Sequence, residues 1–485
     1  MTDSSALSSG SFYAQLDNSQ TTKKHWTTVL VSGMGFFTDA YDLFIIGTVT
    51  VLLTPIFHLN TGQISLLNSA SLLASVLGAL TFGRLMDKLG RKKMYGLEVL
   101  ILVVGAVLSA FSWNFTSLFV FRLLVGYGVG GDYATSAVIT SEYANTKSRG
   151  KLIGTVFAMQ GLGLIVGPLM ASLFLATSVP TDLVWRLLLG MGAIPAASVI
   201  YLRRKIKETP RFAYSKGDLV SAAKSMEWVT GKQVTVPVMP AEAFPARELP
   251  EKNYSLLSHK FLVRLLGTAG AWFLMDIAFY GNSVSSPLIL KLVQPKGSLL
   301  SHTLIALAIF AVAALPGYWL AVFMLDRLGR RKIQWQGFLA MALAFAAIWA
   351  IPGVSTAVVP FLVLYALSYF FVEFGPNMTT FVLPAEIFPT KIRGTADGIS
   401  AGAGKLGAFV GALMVPHMLV WIGVRGVMGV MAAVSFVGIF LTLACIPEPK
   451  LRALESLSGE DEDTTVFSDH DNLTEEKPLA GVGKQ

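Results

Sequence analysis

Residues 87–93 read Asp87-Lys88-Leu89-Gly90-Arg91-Lys92-Lys93, and residues 326–332 read Asp326-Arg327-Leu328-Gly329-Arg330-Arg331-Lys332. The two strings lie 239 positions apart, as do Gly78 and Gly317 upstream of them. One offset shared by a loop and a preceding glycine indicates an internal duplication. The loop's chemistry explains its form. An acid at a helix end can pair with arginine, glycine permits a tight turn, and a basic cluster stays on one side of a membrane.

Outward from these loops the chain is apolar. Of 485 residues, 53% are hydrophobic and only 14% charged, with a mean hydropathy of +0.60. Soluble domains carry about 25% charged residues, so the charge here is too scarce to coat soluble domains over this length. The apolar residues gather instead in runs of about 20, the length that crosses a bilayer core as helix. Twelve spans are expected, at 26–53, 63–86, 94–112, 116–142, 150–177, 182–203, 260–291, 299–325, 333–352, 355–383, 394–422 and 424–446. The reading is an all-α membrane protein of two six-helix bundles. It divides into an N-terminal tail (1–25), a first bundle (26–203), a central linker (204–259), a second bundle (260–446) and a C-terminal tail (447–485). One amphipathic helix is expected at 214–229 in the linker. The acidic tail at 459–477 is expected to be disordered.

Basic residues set the orientation. Lys88 to Lys93, Lys147 to Lys151, Arg327 to Lys332, and Lys391 with Arg393 mark one side. The alternate loops at 54–62, 113–117, 177–183 and 351–357 have no Lys or Arg. Both tails and the linker are therefore expected in the cytoplasm, with the protein in the plasma membrane as a monomer. The polar stretch Met1 to Thr22 lacks the design of a cleaved signal. The formal charge of +8 points to the membrane rather than to nucleic acid, because the basic residues sit where topology puts them. The partner is the lipid bilayer. Cys445 is the single cysteine, which excludes a disulfide framework and any multi-cysteine metal site. No nucleotide loop or metal cluster is found, so an enzyme, a cofactor and a metal are not expected.

Ionisable residues within spans are costly and are functional candidates by default. Asp39 and Asp42 on the first span are three apart and share one helical face. Burial disfavours the charged form of a carboxylate, and a second carboxylate adds to that, so the pair suits proton uptake and release. The alternative is a pair of structural acids held by Arg122 or backbone. The fourth span adds Arg122, Asp132 and Glu142, and the eleventh adds Lys405. Glu142 and Glu386 each precede a basic cluster, which suggests salt bridges at a helix end. Glu373 on the tenth span has no assigned role. On the seventh span Trp272, Asp276 and Tyr280 recur every fourth residue, so an indole N–H, a carboxylate and a phenol form one stripe. On the tenth, Pro376 should kink the helix and leave Asn377 beside freed carbonyls.

The string Gly83-Arg84-Leu85-Met86-Asp87-Lys88-Leu89-Gly90-Arg91-Lys92 resembles the helix 2–3 motif of the major facilitator superfamily, and it recurs in the second half. The implied fold is the major facilitator fold, with a midplane site between two bundles. Gly130-Gly131-Asp132-Tyr133, with Ser136-Ala137 and Ser141-Glu142, is similar to the signature of one branch, the phosphate:proton symporters. The stretch from Phe374 through Pro384-Ala385-Glu386-Ile387-Phe388-Pro389-Thr390 to Gly404-Lys405-Leu406-Gly407-Ala408 is similar too. Ala134-Thr135 departs from that branch's usual Pro-Leu, and Lys207-Glu208-Thr209-Pro210-Arg211 is a loose form of its Pro-Glu-Ser-Pro-Arg. The resemblance implies proton-coupled uptake of inorganic phosphate. It implies phosphate contacts from Tyr133, Gln160, Trp272, Asp276, Tyr280 and Asn377. Proton-path roles fall to Asp39, Asp42 and Asp132, with Lys405 as a partner. A gating or structural role falls to Asp87, Arg91, Asp326, Arg330, Arg122, Glu142, Glu386 and Arg393.

A carboxylate facing an anion has a chemical reason. Dihydrogen phosphate carries two P–OH donors, and an ionised Asp276 accepts one in a charge-assisted bond. Sulfate offers no such donor and leaves the acid unpaired. The alternatives to phosphate are an organic phosphate such as a glycerophosphodiester, a sugar, or a phosphate sensor that signals through its tail.

Overall fold

The computed structural model describes residues 9–234 and 254–460. Parts of the expected N-terminal tail (1–8), linker (235–253) and acidic C-terminal tail (461–485) lie outside the described residues. Twelve long helices carry the fold. In the first half these are α1 (Lys23–Phe57), α2 (Thr61–Leu89), α3 (Arg91–Ala110), α4 (Phe115–Tyr143), α5 (Arg149–Leu175) and α6 (Thr181–Lys205). In the second half these are α7 (His259–Val284), α8 (Leu299–Leu328), α9 (Arg330–Ala350), α10 (Val358–Ile387), α11 (Arg393–Trp421) and α12 (Gly423–Cys445). Ten segments are long and apolar enough to cross a membrane. One of them, Arg393–Cys445, holds both α11 and α12, and α4 completes the twelve with its Arg122, Asp132 and Glu142.

Local chemistry sets the helix starts. Asn60 caps α2 and Asn114 caps α4, each in a reciprocal box with the residue three positions on. Thr22 and His25 do the same for α1, which begins three residues earlier than the expected span. Gly90 (φ 101°) and Gly329 (φ 97°) make the tight α2–α3 and α8–α9 turns in a region other residues disfavour. Four of these helices are interrupted. α3 breaks at Tyr95-Gly96, α6 breaks at Gly192, and α8 and α10 each contain a five-residue π-helical segment, Phe310–Ala314 and Glu373–Asn377. In α10 the break is the expected proline kink: Pro376 follows Gly375, whose φ and ψ of −104° and −111° are not helical.

Packing repeats between halves. α1 packs on α5, α2 on α4 and α3 on α6; α7 packs on α11, α8 on α10 and α9 on α12. The halves meet mainly along α2–α11 and α5–α8. At α2–α11 the backbones touch: a Cβ on Gly83 would lie 2.8 Å from the Cα of Gly398. Small residues allow this approach between membrane helices.

At the end that carries the Asp87 and Asp326 loops, the expected tails and linker contribute docked helices. Ser9–Asp17, Pro210–Ser215, Leu219–Thr230 and Leu454–Ser458 lie there. Phe12, Tyr13 and Leu16 bury with Ala213, Ala222 and Met226 in one apolar cluster, which is why the tail helix packs. Arg211 donates to Asp17 at 2.6 Å and pairs with Glu455, so one guanidinium joins both tails to the central segment.

Candidate functional site

Between the halves, near the middle of the helices, α4, α7 and α11 bring four polar side chains together. Lys405 Nζ donates to the Tyr280 hydroxyl at 2.8 Å and lies 3.8 Å from Asp276 Oδ2. It also sits over the Tyr133 ring, 3.7 Å from its centroid. The Tyr133 and Tyr280 hydroxyls are 3.2 Å apart. Trp272 lies one turn from Asp276 on α7, its ring 6.2 Å from that of Tyr133. Asp276, Lys405, Tyr133, Tyr280 and Trp272 are all about 99% buried or more. A lone cation or anion at this depth is expensive, and the pair offsets that cost.

Aromatic rings bound the cluster on two sides. Toward the Asp87 end, Phe36 of α1, Phe157 of α5 and Phe381 of α10 form a floor. Phe157 stacks on Phe381 at 4.5 Å, and Phe36 meets Phe381 edge-on at 4.9 Å. Toward the other end, Phe44 of α1 stacks on Tyr280 at 5.1 Å and meets Phe279 at 5.5 Å. Both layers draw rings from both halves, so opening either side separates them.

Two more sequence candidates lie on the neighbouring helices α5 and α10. Gln160 on α5 is fully buried, and neither of its side-chain polar atoms has a partner among the described residues. Asn377 on α10 is already engaged: its Nδ2 donates to the Tyr318 hydroxyl at 3.0 Å and to Glu373 Oε2 at 2.5 Å. Tyr318 of α8 touches Phe157 and so adjoins the floor.

The acids of the first half do not form one group. Asp42 faces Arg122, whose Nη1 is 4.0 Å from Asp42 Oδ1 and whose Nη2 donates to the Asp42 carbonyl at 2.7 Å. Asp39 stands one turn after Gly35, against which Asp132 and Arg203 pack, and neither of its oxygens has a hydrogen-bond partner among the described residues. Asp132 is clamped by Arg203 in two bonds of 2.8 and 3.0 Å and accepts a third from Ser136 at 2.7 Å. The same guanidinium donates to Glu98 at 2.8 Å. Sequence reading missed Arg203 and Glu98. Arg203 stands at the end of α6 beside Arg204 and Lys205 and looks like another topology charge. Its spacing of four from Val199 and seven from Ala196 on the buried face was the available signal.

A second constellation closes the Asp87 end. Glu142 accepts from Arg91 of its own half at 2.9 and 3.2 Å and from Arg393 of the other half at 3.0 Å. Glu386 accepts from Arg330 of its own half at 2.9 and 3.0 Å and from Arg149 of the other half at 3.0 Å. Asp87 accepts from the Gly394 and Thr395 N–H groups at 3.1 and 2.7 Å. Asp326 accepts from those of Gly150 and Lys151 at 3.1 and 2.9 Å. These are the first amides of α11 and α5, so each acid caps a helix of the opposite half. Outside the spans, Glu208 takes the Arg91 and Lys92 amides and Glu448 takes those of Arg330 and Arg331. Burial pushes the Glu208 carboxyl above its ordinary range, against the pull of those amides and of Arg91. Arg149 was the missed member, read as a loop charge beside Lys147 and Lys151.

The described residues contain no group of three or more His, Cys, Asp or Glu placed to hold a metal ion. What the arrangement offers is a buried cation, a paired acceptor and several neutral donors between the two halves.

Comparison with known proteins fits that geometry. The family model described as "Sugar (and other) transporter" matches residues 7–460. The chain belongs to this family, within the major facilitator superfamily. It is a transporter, not an enzyme. Its relatives include "Inorganic phosphate transporter 1-1" of Arabidopsis thaliana, 38% identical over 92% of this chain and 97% of that protein. "Low affinity inorganic phosphate transporter 1" of Petunia hybrida is 37% identical over 93% and 96%. Among solved structures, the proton:xylose symporter XylE superposes with a TM-score of 0.76 at 18% identity, over 90% of this chain and 99% of that one. That likeness supports the twelve-helix transporter fold.

Proposed function

We propose that this transporter takes up inorganic phosphate, as dihydrogen phosphate, together with protons by alternating access. The observation that carries the reading is the buried Lys405–Asp276 pair between Tyr133 and Tyr280 at the junction of the halves. Full-length relatives named as inorganic phosphate transporters support the choice of anion.

In this reading Lys405 turns its ammonium from Tyr280 to a phosphate oxygen and neutralises the anion. Asp276, acceptor-only when ionised, takes one P–OH proton as a hydrogen bond. The Trp272 indole N–H, the Tyr133 and Tyr280 hydroxyls, Gln160 and Asn377 serve the remaining oxygens. Asp39, Asp42 and Asp132 carry the protons in the first half. Their cations, Arg122 and Arg203, keep the ionised forms tolerable after a proton leaves. Entry of an anion against an inside-negative potential costs about 2.3 kcal/mol per charge per 100 mV. More than one proton per anion turns that cost into a driving force. Asp87, Arg91, Asp326, Arg330, Glu142, Glu386 and Arg393 close the cytoplasmic side and part when the halves rock.

The basic loops support an orientation with both termini, the 204–259 linker and the 447–485 tail in the cytoplasm. The bundles are assigned to 26–203 and 260–446, with a tail at 1–25. One chain supplies every proposed contact, so a monomer in the plasma membrane suffices. Radiolabelled phosphate uptake into proteoliposomes, with and without an inward proton gradient, tests this. Gradient-stimulated uptake that arsenate inhibits and sulfate does not is expected. Uptake of xylose in place of phosphate would replace the reading with a sugar carrier.

A further inference from the structure

Glu373 is a buried acid of the second half that the proposed function leaves unused. It lies on α10 at the first position of the π-helical segment, one turn before Asn377, and is fully buried. Its Oε2 accepts from Asn377 Nδ2 at 2.5 Å, while Oε1 has no hydrogen-bond partner among the described residues. Of the other buried acids in the spans, Asp42, Asp132, Glu98 and Asp276 each have an arginine or lysine within 4.0 Å, whereas Asp39 of the first half and Asp397 of α11 have none among the described residues. Glu373 has no ion pair among the described residues. The titratable groups that act on it are Tyr318 of α8, Asp276 of α7, and its own helix neighbour Tyr369. Tyr280 of α7 also feels its charge. The α9 face against this segment presents Gly337, and α9 carries ionisable side chains only in its first turn.

We propose that Glu373 is a proton-carrying carboxylate of the second half, coupled to substrate through Asn377; the inference rests on the phosphate reading above. Two acids, Asp276 and Glu373, then flank the anion site, with one cation, Lys405, between them and the first half. An anion entering beside an ionised Glu373 meets an uncompensated negative charge. A proton on Oε1 removes that charge without disturbing the bond at Oε2, since the carbonyl oxygen of the acid still accepts from Asn377. The carboxylate plus one proton from the outer solution gives the neutral acid on the way in. The acid returns that proton to the inner solution after the anion leaves. Asn377 is the mechanical link: its Nδ2 carries two donors, shared between Tyr318 and Glu373, and it must turn one toward a phosphate oxygen to bind it. The irregular backbone at Gly375–Pro376 lets this turn of α10 move without breaking a regular ladder.

The test compares wild type with Glu373→Gln, which keeps the length and an acceptor for Asn377. Proton and phosphate fluxes are measured together in proteoliposomes at several pH values. The expected result is one fewer proton per phosphate and a flatter pH dependence of uptake, with phosphate binding at low pH retained within about threefold. An unchanged ratio and pH profile would overturn the proposal while leaving phosphate transport intact. A wild type that moves no phosphate would instead overturn the reading on which it rests. Should the variant not fold, infrared difference spectra of the wild type on adding phosphate give the answer. The expected result is a gained carboxylic-acid band that shifts on Tyr318→Phe, and no such band overturns the proposal.

Discussion

At the scale of single residues, the proposed phosphate site turns on Asp276. In that proposal it is the one charged acceptor, and it keeps Lys405 from being a lone buried cation. Asp276→Asn removes the charge and adds an N–H that faces the phosphate hydrogens. Phosphate affinity of the solubilised protein is expected to fall at least tenfold by equilibrium binding; a change within twofold would remove Asp276 from the site. Asp39 and Asp42 make a contrasting pair. Asp39→Asn should leave folding and phosphate binding intact and cut gradient-driven uptake, because its carboxylate bonds to nothing that the fold requires. Asp42→Asn strips the counter-charge from Arg122, and breaking a buried pair costs about 3–5 kcal/mol. A lower thermal midpoint is expected for Asp42→Asn alone, and equal midpoints would void the distinction. Sequence reading found both acids by their shared face. It could not separate them, because the arginine that distinguishes them lies 80 positions away on α4.

At the scale of elements, the contact of α2 with α11 limits how the halves move. Backbone meets backbone at Gly83 and Gly398, with no side chain between them. Gly398→Val inserts an isopropyl group of three carbons there, and overpacking of this kind costs about 1–3 kcal/mol. The cheapest relief is to part the helices, which opens the end that carries the Asp87 and Asp326 loops. A cysteine placed near Thr395, in a background lacking Cys445, is then expected to react faster with a water-soluble maleimide than in the parent. Equal rates would mean that the two helices yield elsewhere. The twelve helices were legible because length and hydropathy are local properties, and the α10 kink because Pro376 announces it. The π-helical segment in α8 was missed although a local signal exists. Phe310–Ala314 itself contains no proline or glycine, but Pro316 follows two residues later and lacks the N–H that would bond to Val312 within the segment. The docked tail helix Ser9–Asp17 was missed for a different reason: among its apolar partners are residues of the linker.

At the scale of the whole molecule, duplication has placed two equivalent locks across the interface. Glu142 and Glu386 each hold one arginine from their own half and one from the other. Glu142→Gln with Glu386→Gln weakens both at once. The resting population should shift toward the form open at the Asp87 end, with uptake reduced at least tenfold and binding from the opposite side weakened. Distance distributions between spin labels on Lys88 and Lys391 should then lengthen. An unchanged distribution would show that the amide contacts of Asp87 and Asp326 suffice to hold the closure. The offset of 239 exposed the repeated loops from sequence, but the crossing of partners was hidden. Arg149 and Arg393 occupy matched places in the two halves, and each serves the acid of the other.

That exchange of arginines has a consequence for biosynthesis. The ribosome delivers the first half to the membrane with Glu142 already satisfied by Arg91, but with Arg149 lacking its acid until Glu386 emerges more than two hundred residues later. The finished second half would be equally incomplete by itself, with Arg393 stranded. Each half is thus a template that the other completes. Two fragments co-expressed from separate messages and cut within the linker have a chemical reason to find one another in the bilayer.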